Sequence, residues 1–245
     1  ITKDEMQGVP HHLVDFLTPD QAVSVFDFQK RAFEIIDDII ARGKTPLLVG
    51  GTGFYISAVI ENYQLRPGVV DQKLRDELNA LTLEALQERV KEFNPPLTLD
   101  IKNKVRIVRF IENKLADASY EPTLEVPKYD VLIIEPEFDR EMLNKRINAR
   151  VKLMFENGLV GEVAGLVDKY GKDAPAFNAI GYREFLPYNN LSDLKNDDLS
   201  AIREEIAINS RHYAKRQITW FRRYLNKYIH KDLSTTLLKV HDFLT

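Results

Sequence analysis

The clearest change of pattern along the chain is at Pro46-Leu47-Leu48-Val49. There an aliphatic run stops at Gly50-Gly51-Thr52-Gly53 and a helical rhythm resumes at Tyr55. A short buried run, a glycine turn and a helix predict strand, loop and helix in that order. Residues 13–16 and 129–135 read as two further strands, the second closed by Pro136. Between the first two strands, residues 26–42 carry apolar positions at Phe26, Phe33, Ile36 and Ile40 and meet Gly43, a natural helix stop. Strands alternating with helices predict an α/β fold with a parallel sheet.

The alternation breaks after about residue 62. Residues 73–81, 83–93 and 99–116 all read as helices, with Asn94-Pro95-Pro96 as a turn and no strand among them. This stretch is expected to be a helical insertion, dividing the chain into core (1–62), insertion (63–126) and core again (127–245). Beyond Pro136 the pattern is helical almost to the end. Residues 139–157 stop at Gly158, residues 159–170 stop at Gly171, and a long helix covers 197–227. At roughly 100° per residue, that long helix places Ala214, Ile218, Phe221 and Leu225 on one stripe, expected to face the core. Arg211, Lys215 and Arg222 flank it, and Arg216 and Arg223 lie further round. Tyr213, Trp220 and Tyr224 form a second, aromatic stripe.

Composition narrows the picture by exclusion. The chain has no cysteine, which removes disulfides, thiolate metal sites and cysteine nucleophiles and fits a reducing cytoplasm. Its longest aliphatic run is Val131 to Ile134, too short for a membrane span. The net charge of −3 hides an uneven distribution. Residues 211–227 carry Arg211, Lys215, Arg216, Arg222, Arg223 and Lys227 with no acid. Residues 102–114 carry Lys102, Lys104, Arg106, Arg109 and Lys114 against Glu112 alone. Two basic blocks on an acidic chain suggest a localised polyanion site, although solvated helix faces would give the same pattern.

Three motifs bear on chemistry. Backbone amides at the Gly50–Gly53 turn and the following helix start can receive an anion or a base edge, but most such turns merely connect elements. The turn is not a Walker A loop, because no Lys-Ser/Thr follows it. In Ala179-Ile180-Gly181-Tyr182-Arg183-Glu184, the guanidinium could clamp an oxyanion or a diphosphate, or could simply pair with Glu184. His11-His12 lacks surrounding acids, and adjacent histidines seldom hold one metal, so no metal site is assigned.

Taken as a set, these motifs resemble a known family. His11-His12-Leu13-Val14-Asp15, Leu48 to Tyr55 and Asp139-Arg140 lead, in order, to Arg146, Arg150-Val151, Met154, Gly158-Leu159 and Glu162-Val163. Ala179-Ile180-Gly181-Tyr182 and Ala214-Lys215-Arg216-Gln217-Ile218-Thr219-Trp220-Phe221-Arg222 follow. Together they resemble the bacterial tRNA dimethylallyltransferase family across nearly the whole chain.

The resemblance implies a P-loop-NTPase-like, nucleotide-binding core whose helical insertion grips the anticodon stem-loop of tRNA. The implied reaction moves a dimethylallyl group from dimethylallyl diphosphate to N6 of the adenosine 3′ of the anticodon, with Mg²⁺ as cofactor. By the same resemblance Thr52 sits at the reacting centre near that adenosine, and Arg183 lies on the diphosphate side. Arg75, Arg106 and Arg109 in the insertion, and Arg211, Lys215 and Arg216 on the basic helix, would contact tRNA. A cytoplasmic monomer is expected.

The pattern also departs from the family. The family's opening strand, Lys-Thr phosphate loop and Asp-Ser segment with its general base do not precede Ile1, so the chain reads as part of a longer protein. Phe110-Ile111-Glu112 replaces the usual Ala-Leu-Glu, and residues 114–126 match poorly. A nucleotide kinase, a non-catalytic RNA-binding module and an adenylate isopentenyltransferase are the competing classes. The first would need the Walker lysine, and the last would not need Arg106 and Arg109.

Overall fold

The computed structural model describes residues 1–65, 71–97, 99–117, 126–137 and 139–245. The chain forms two compact units: Ile1–Ile60 with Pro127–Thr245, and Glu61–Val126. In chain order the first unit contributes α1 (Val25–Ala41) and α2 (Gly53–Ile60), and the second contributes α3 (Gln72–Ala80), α4 (Leu83–Lys91) and α5 (Lys104–Ala116). The first unit then resumes with β1 (Ile134–Pro136), α6 (Arg140–Glu156), α7 (Leu159–Tyr170), α8 (Asn196–Phe221), β2 (Tyr228–His230) and α9 (Leu233–Leu244). Short 3₁₀ turns at Pro175–Asn178, Arg183–Phe185 and Leu191–Asp193 link α7 to α8. The chain is thus less uniformly helical after Pro136 than its pattern predicts.

The sheet is smaller than expected. Among the described residues it has two parallel strands, with Ile134 opposite Tyr228 and Pro136 opposite His230. The predicted strand at 129–135 shrinks to β1, and its partner β2, just past the predicted helix over 197–227, is a three-residue run too short to signal itself. Residues 46–49 and 13–16 join no ladder. Leu47 and Val49 are 79% and 89% exposed, and Leu13 and Asp15 adopt left-handed φ values of 57° and 53°. A strand exists only where another backbone takes its hydrogen bonds, and among the described residues none lies beside these two segments. The result is a mostly helical protein with a small parallel sheet rather than a three-stranded core.

The core of the first unit follows from spacing. Val151 and Phe155 on α6, Leu159 and Val163 on α7, and Ile202 and Ile206 on α8 are each four residues apart, so each pair falls on one helix face. They close around Phe177 and Phe185 from the 3₁₀ turns, with Phe155 stacked on Phe185 at 6.1 Å between ring centroids. Gly158, at φ 91°, makes the sharp turn between α6 and α7 that a side chain would strain.

In the second unit, Ile107, Val108, Phe110 and Ile111 of α5 pack with Leu78 of α3 and Leu86 and Val90 of α4. The side chains of Asp71, Thr82 and Asn103 accept N–H bonds at the starts of α3, α4 and α5. The Asn103 cap explains why α5 begins at Lys104 and not at residue 99 as predicted. Most of the poorly matched segment 114–126 lies outside the described residues. Asn62 Nδ2 donates to the Val126 carbonyl at 3.0 Å, tying the two ends of this unit together. In the first unit, Asp37 of α1 accepts bonds from Lys128 Nζ at 2.6 Å and the Tyr129 hydroxyl at 2.8 Å, fixing the chain where it re-enters.

Candidate active site

The site is built on α8. Asn209, Tyr213, Gln217, Trp220 and Tyr224 recur every three or four residues, which lines them along one side of the helix and its C-terminal turn. Together they meet several parts of the first unit. Asn209 Nδ2 donates to Glu184 Oε1 at 2.8 Å, and the Tyr213 and Thr52 hydroxyls share a hydrogen bond at 3.0 Å. Trp220 Nε1 donates to Ser57 Oγ at 2.9 Å, and the Tyr224 hydroxyl bonds the same oxygen at 2.6 Å. Ser57 is fully buried on α2, so these two bonds seat α8 against α2 at an internal point.

The same strip explains the glycines of the Gly50–Gly53 turn. A Cβ on Gly51 would stand 1.9 Å from Gln217 Nε2, and one on Gly53 would stand 2.4 Å from the Trp220 ring. Those glycines let the turn press against α8, a cause distinct from both the anion-binding and the plain-connector readings. The turn leaves Thr52 exposed at the start of α2, where its carbonyl accepts from the N–H groups of Tyr55 and Ile56.

Of the predicted stripe, Ala214 and Phe221 are partly buried as expected, but the other two members are not. Ile218 and Leu225 are 43% and 91% exposed, whereas Tyr213, Trp220 and Tyr224 are partly buried. The aromatic residues pack inward because each carries a polar tip that finds a partner on the first unit, Thr52 for Tyr213 and buried Ser57 for Trp220 and Tyr224. Leu225, moreover, lies beyond the end of the helix at Phe221, where 100° steps no longer apply.

Next to this strip, His212, Lys215, Arg216, Thr219, Trp220 and Arg223 line a groove. Arg216 lies over the Tyr213 ring at 5.8 Å, and Arg223 over Trp220 at 4.8 Å. Cations interleaved with aromatic faces can hold both a phosphate and a base. Lys215 and Arg216 therefore share this groove, and Arg216 covers the Tyr213 ring whose hydroxyl holds Thr52. Arg211 does not join them: it turns toward α6, where Nη1 donates to Asn148 Oδ1 at 3.2 Å, and it lines another groove with Lys152 and Arg203.

Arg183 opens a 3₁₀ turn. Its Glu184 neighbour is buried, not a surface partner. Glu184 Oε2 accepts the Gly181 N–H at 2.8 Å, and Oε1 accepts from Asn209 and from Arg183 Nε at 3.1 Å. Arg183 is held through Nε with its side chain 39% exposed, and among the described residues its two terminal nitrogens make no hydrogen bond. Gly181, at φ 100°, adopts a conformation other residues resist. The adjacent Tyr182 hydroxyl donates to Glu162 Oε1 at 2.5 Å, and burial first, then that carboxylate, pushes its pKa up to about 12. Since Asn209 and Tyr213 are one helical turn apart, about 6 Å of rise, α8 holds Glu184 and Thr52 at adjacent levels.

In the second unit the three arginines differ. Arg75 makes a two-pronged pair with Glu112, Nε to Oε1 at 2.7 Å and Nη2 to Oε2 at 2.8 Å, and Glu112 is buried. Arg106 and Arg109 are exposed, each 3.8 Å from its nearest carboxylate oxygen, on Asp100 and Glu112. Glu112 as a buried anchor, Ser57, and the Asn209-Tyr213-Gln217 spacing are functional features that the sequence reading passed over. The four-residue spacing was the visible signal for the last of these. Among the described residues, no three His, Asp or Glu side chains gather as metal ligands, and no helix is long and apolar enough to cross a membrane.

Residues 1–224 match the IPP transferase family. A tRNA dimethylallyltransferase of Exiguobacterium sp. is 40% identical over 229 residues, covering 91% of this chain and 72% of the relative. That of Staphylococcus carnosus is 35% identical over 259 residues, covering 100% of this chain and 81% of the relative. Among solved structures, the tRNA isopentenylpyrophosphate transferase of Bacillus halodurans superposes with a TM-score of 0.68 at 34% identity, covering 100% of this chain and 80% of that one. A eukaryotic dimethylallyltransferase acting on tRNA shares the fold, with a TM-score of 0.68 at 22% identity over 90% of this chain and 58% of that one.

Proposed function

The chain belongs to the IPP transferase family, and from that membership we propose that it is a tRNA prenyltransferase. It transfers a dimethylallyl group from dimethylallyl diphosphate to N6 of the adenosine 3′ of the anticodon. The new bond joins N6 to the allylic carbon as the carbon–oxygen bond breaks. The bonding pair leaves with diphosphate, and N6 sheds a proton to a base. The observation that carries this reading is an exposed hydroxyl, Thr52, held by Tyr213 beside a groove of alternating cations and aromatic rings.

An exocyclic amine is a weak nucleophile, so orienting it is a large part of the work. Thr52 is suited to meet a base flipped out of the anticodon loop, where unstacking costs less than in a duplex. Lys215 and Arg216 bind its flanking phosphates, and Arg211 extends the contact from its separate groove. Arg183, gripped from behind by Glu184, receives the diphosphate oxygens. The second unit engages the stem through Arg106 and Arg109, with Arg75 supporting them through Glu112. The run from Pro46 into the glycine turn, and the parallel pair β1–β2, fit a P-loop-type core. Mg²⁺, when bound, would neutralise charge on the departing diphosphate beside Arg183. Acting on tRNA, the protein works in the cytoplasm, as a monomer.

The test is transfer of labelled dimethylallyl from its diphosphate to an anticodon stem-loop, beside adenosine monophosphate as the rival acceptor. Label on the stem-loop adenosine is expected. Label on the free nucleotide alone would replace the tRNA reading with an adenylate isopentenyltransferase, and tight stem-loop binding without transfer would make this an RNA-binding module.

A further inference from the structure

We infer that Tyr213 is a positioning residue, setting the rotamer in which the Thr52 hydroxyl meets the acceptor base; the inference rests on the placement of Thr52 at the reacting centre. Threonine has three staggered positions for its hydroxyl, and Thr52 is exposed, so packing does not choose among them. Among the described residues its side chain takes one hydrogen bond, the 3.0 Å contact with the Tyr213 hydroxyl. That phenol is offered from a fixed base. Its ring is partly buried under Arg216, and α8 is seated independently by Trp220 and Tyr224 on buried Ser57.

The direction of the bond follows from acidity, because a phenol is a better donor than an aliphatic alcohol. With Tyr213 donating, Thr52 keeps its own proton to give and a lone pair to accept with. That pair complements a base edge carrying an amine beside a ring nitrogen, as adenine does. Tyr213 itself transfers no proton in the reaction and touches no substrate atom; it acts through Thr52.

Tyr213→Phe removes the hydroxyl, while the ring and the Ser57 seat remain. Turnover for prenyl transfer is expected to fall about three- to tenfold, the range for losing one net hydrogen bond, with stem-loop Kd and Tm unchanged. In a Thr52→Val background, Tyr213→Phe should cause no further loss, since the group it positions is gone. Losses that multiply across the two sites would overturn the inference, as would full turnover in Tyr213→Phe or a fall in Tm that accounts for the lost activity. If Thr52→Val alone leaves turnover intact, the placement of Thr52 fails first and takes Tyr213 with it. If Thr52→Val is slow but Tyr213→Phe is not, Thr52 stands and Tyr213 does not.

Discussion

Replacing Arg75 by alanine separates a contact with RNA from a role inside the protein. The Arg75 guanidinium holds both oxygens of Glu112, at 2.7 and 2.8 Å, and Glu112 is only 6% exposed. Removing Arg75 strands a buried carboxylate. Breaking such a pair from one side ordinarily costs about 3–5 kcal/mol. Here the cost is lower, about 2–3 kcal/mol, because the Arg75 side chain is 21% exposed and Arg109 stands 3.8 Å from Glu112 as a substitute cation. For a chain of this length that corresponds to a Tm lower by about 5–10 °C. Stem-loop affinity should fall with it, as an indirect effect.

The decisive comparison is the double variant Arg75→Met with Glu112→Leu, which removes both charges and fills the space. Thermal unfolding should recover most of the loss, and stem-loop affinity measured by titration at fixed salt should recover in parallel. If Arg75→Ala leaves Tm untouched while weakening stem-loop binding, or if the double variant regains Tm but not affinity, the reasoning is wrong and Arg75 touches the RNA itself.

Other outcomes follow from the same geometry. Gly53→Ala drives a Cβ to 2.4 Å from the Trp220 ring and should lower stability by about 1–3 kcal/mol. Gly161→Ala, in α7 with open space around it, should raise stability by about 0.5–1 kcal/mol; thermal unfolding measures both. Thr52→Ala should lower turnover with stem-loop Kd little changed, and Arg183→Ala should weaken diphosphate binding with little effect on stem-loop affinity, alongside some loss of Tm because buried Glu184 loses its cation. Arg106→Ala should instead weaken stem-loop binding and flatten the slope of log K against log salt by about 0.7–0.9; equal losses of binding from Thr52→Ala and Arg106→Ala would break this division. The Tyr182 pKa, raised to about 12 from the model-compound value of 10.0, means the native state holds its proton longer than the unfolded chain. Its contribution to stability is therefore whole below pH 10.0 and is lost as pH rises to about 12. Phenolate absorbance and alkaline unfolding of Tyr182→Phe beside the parent should show that window narrow or vanish.

The helices were legible because their signals are local. Asp139 caps α6, and glycines at 158 and 171 end segments whose apolar positions repeat every four residues. The strands were not, because Leu47 and Val49 look buried in sequence whatever lies beside them, whereas pairing depends on another segment of backbone. At the site, the Gly50–Gly53 turn drew attention for its amides, yet its glycines answer to the Gln217 and Trp220 side chains, more than 160 residues away. Glu184 drew attention only as a possible partner of Arg183, since neither its burial nor its bond to Asn209 leaves a trace in the neighbouring residues. Charge marked α8 but not its sides: Lys215 and Arg216 share a groove that Arg211 has turned away from.

The tie between Asn62 and Val126, and the grip of Asp37 on Lys128 and Tyr129, have a consequence for how such a chain can change. A segment whose two ends are pinned together behaves as a cassette. Doubling the length of a flexible excursion adds only about 0.6 kcal/mol to the entropy of closing it, no more than a weak hydrogen bond. Residues can therefore be gained or lost between those pins with little penalty to the unit that carries Thr52 and Arg183. The reach of the cassette is free to vary, while the first unit stays as it is.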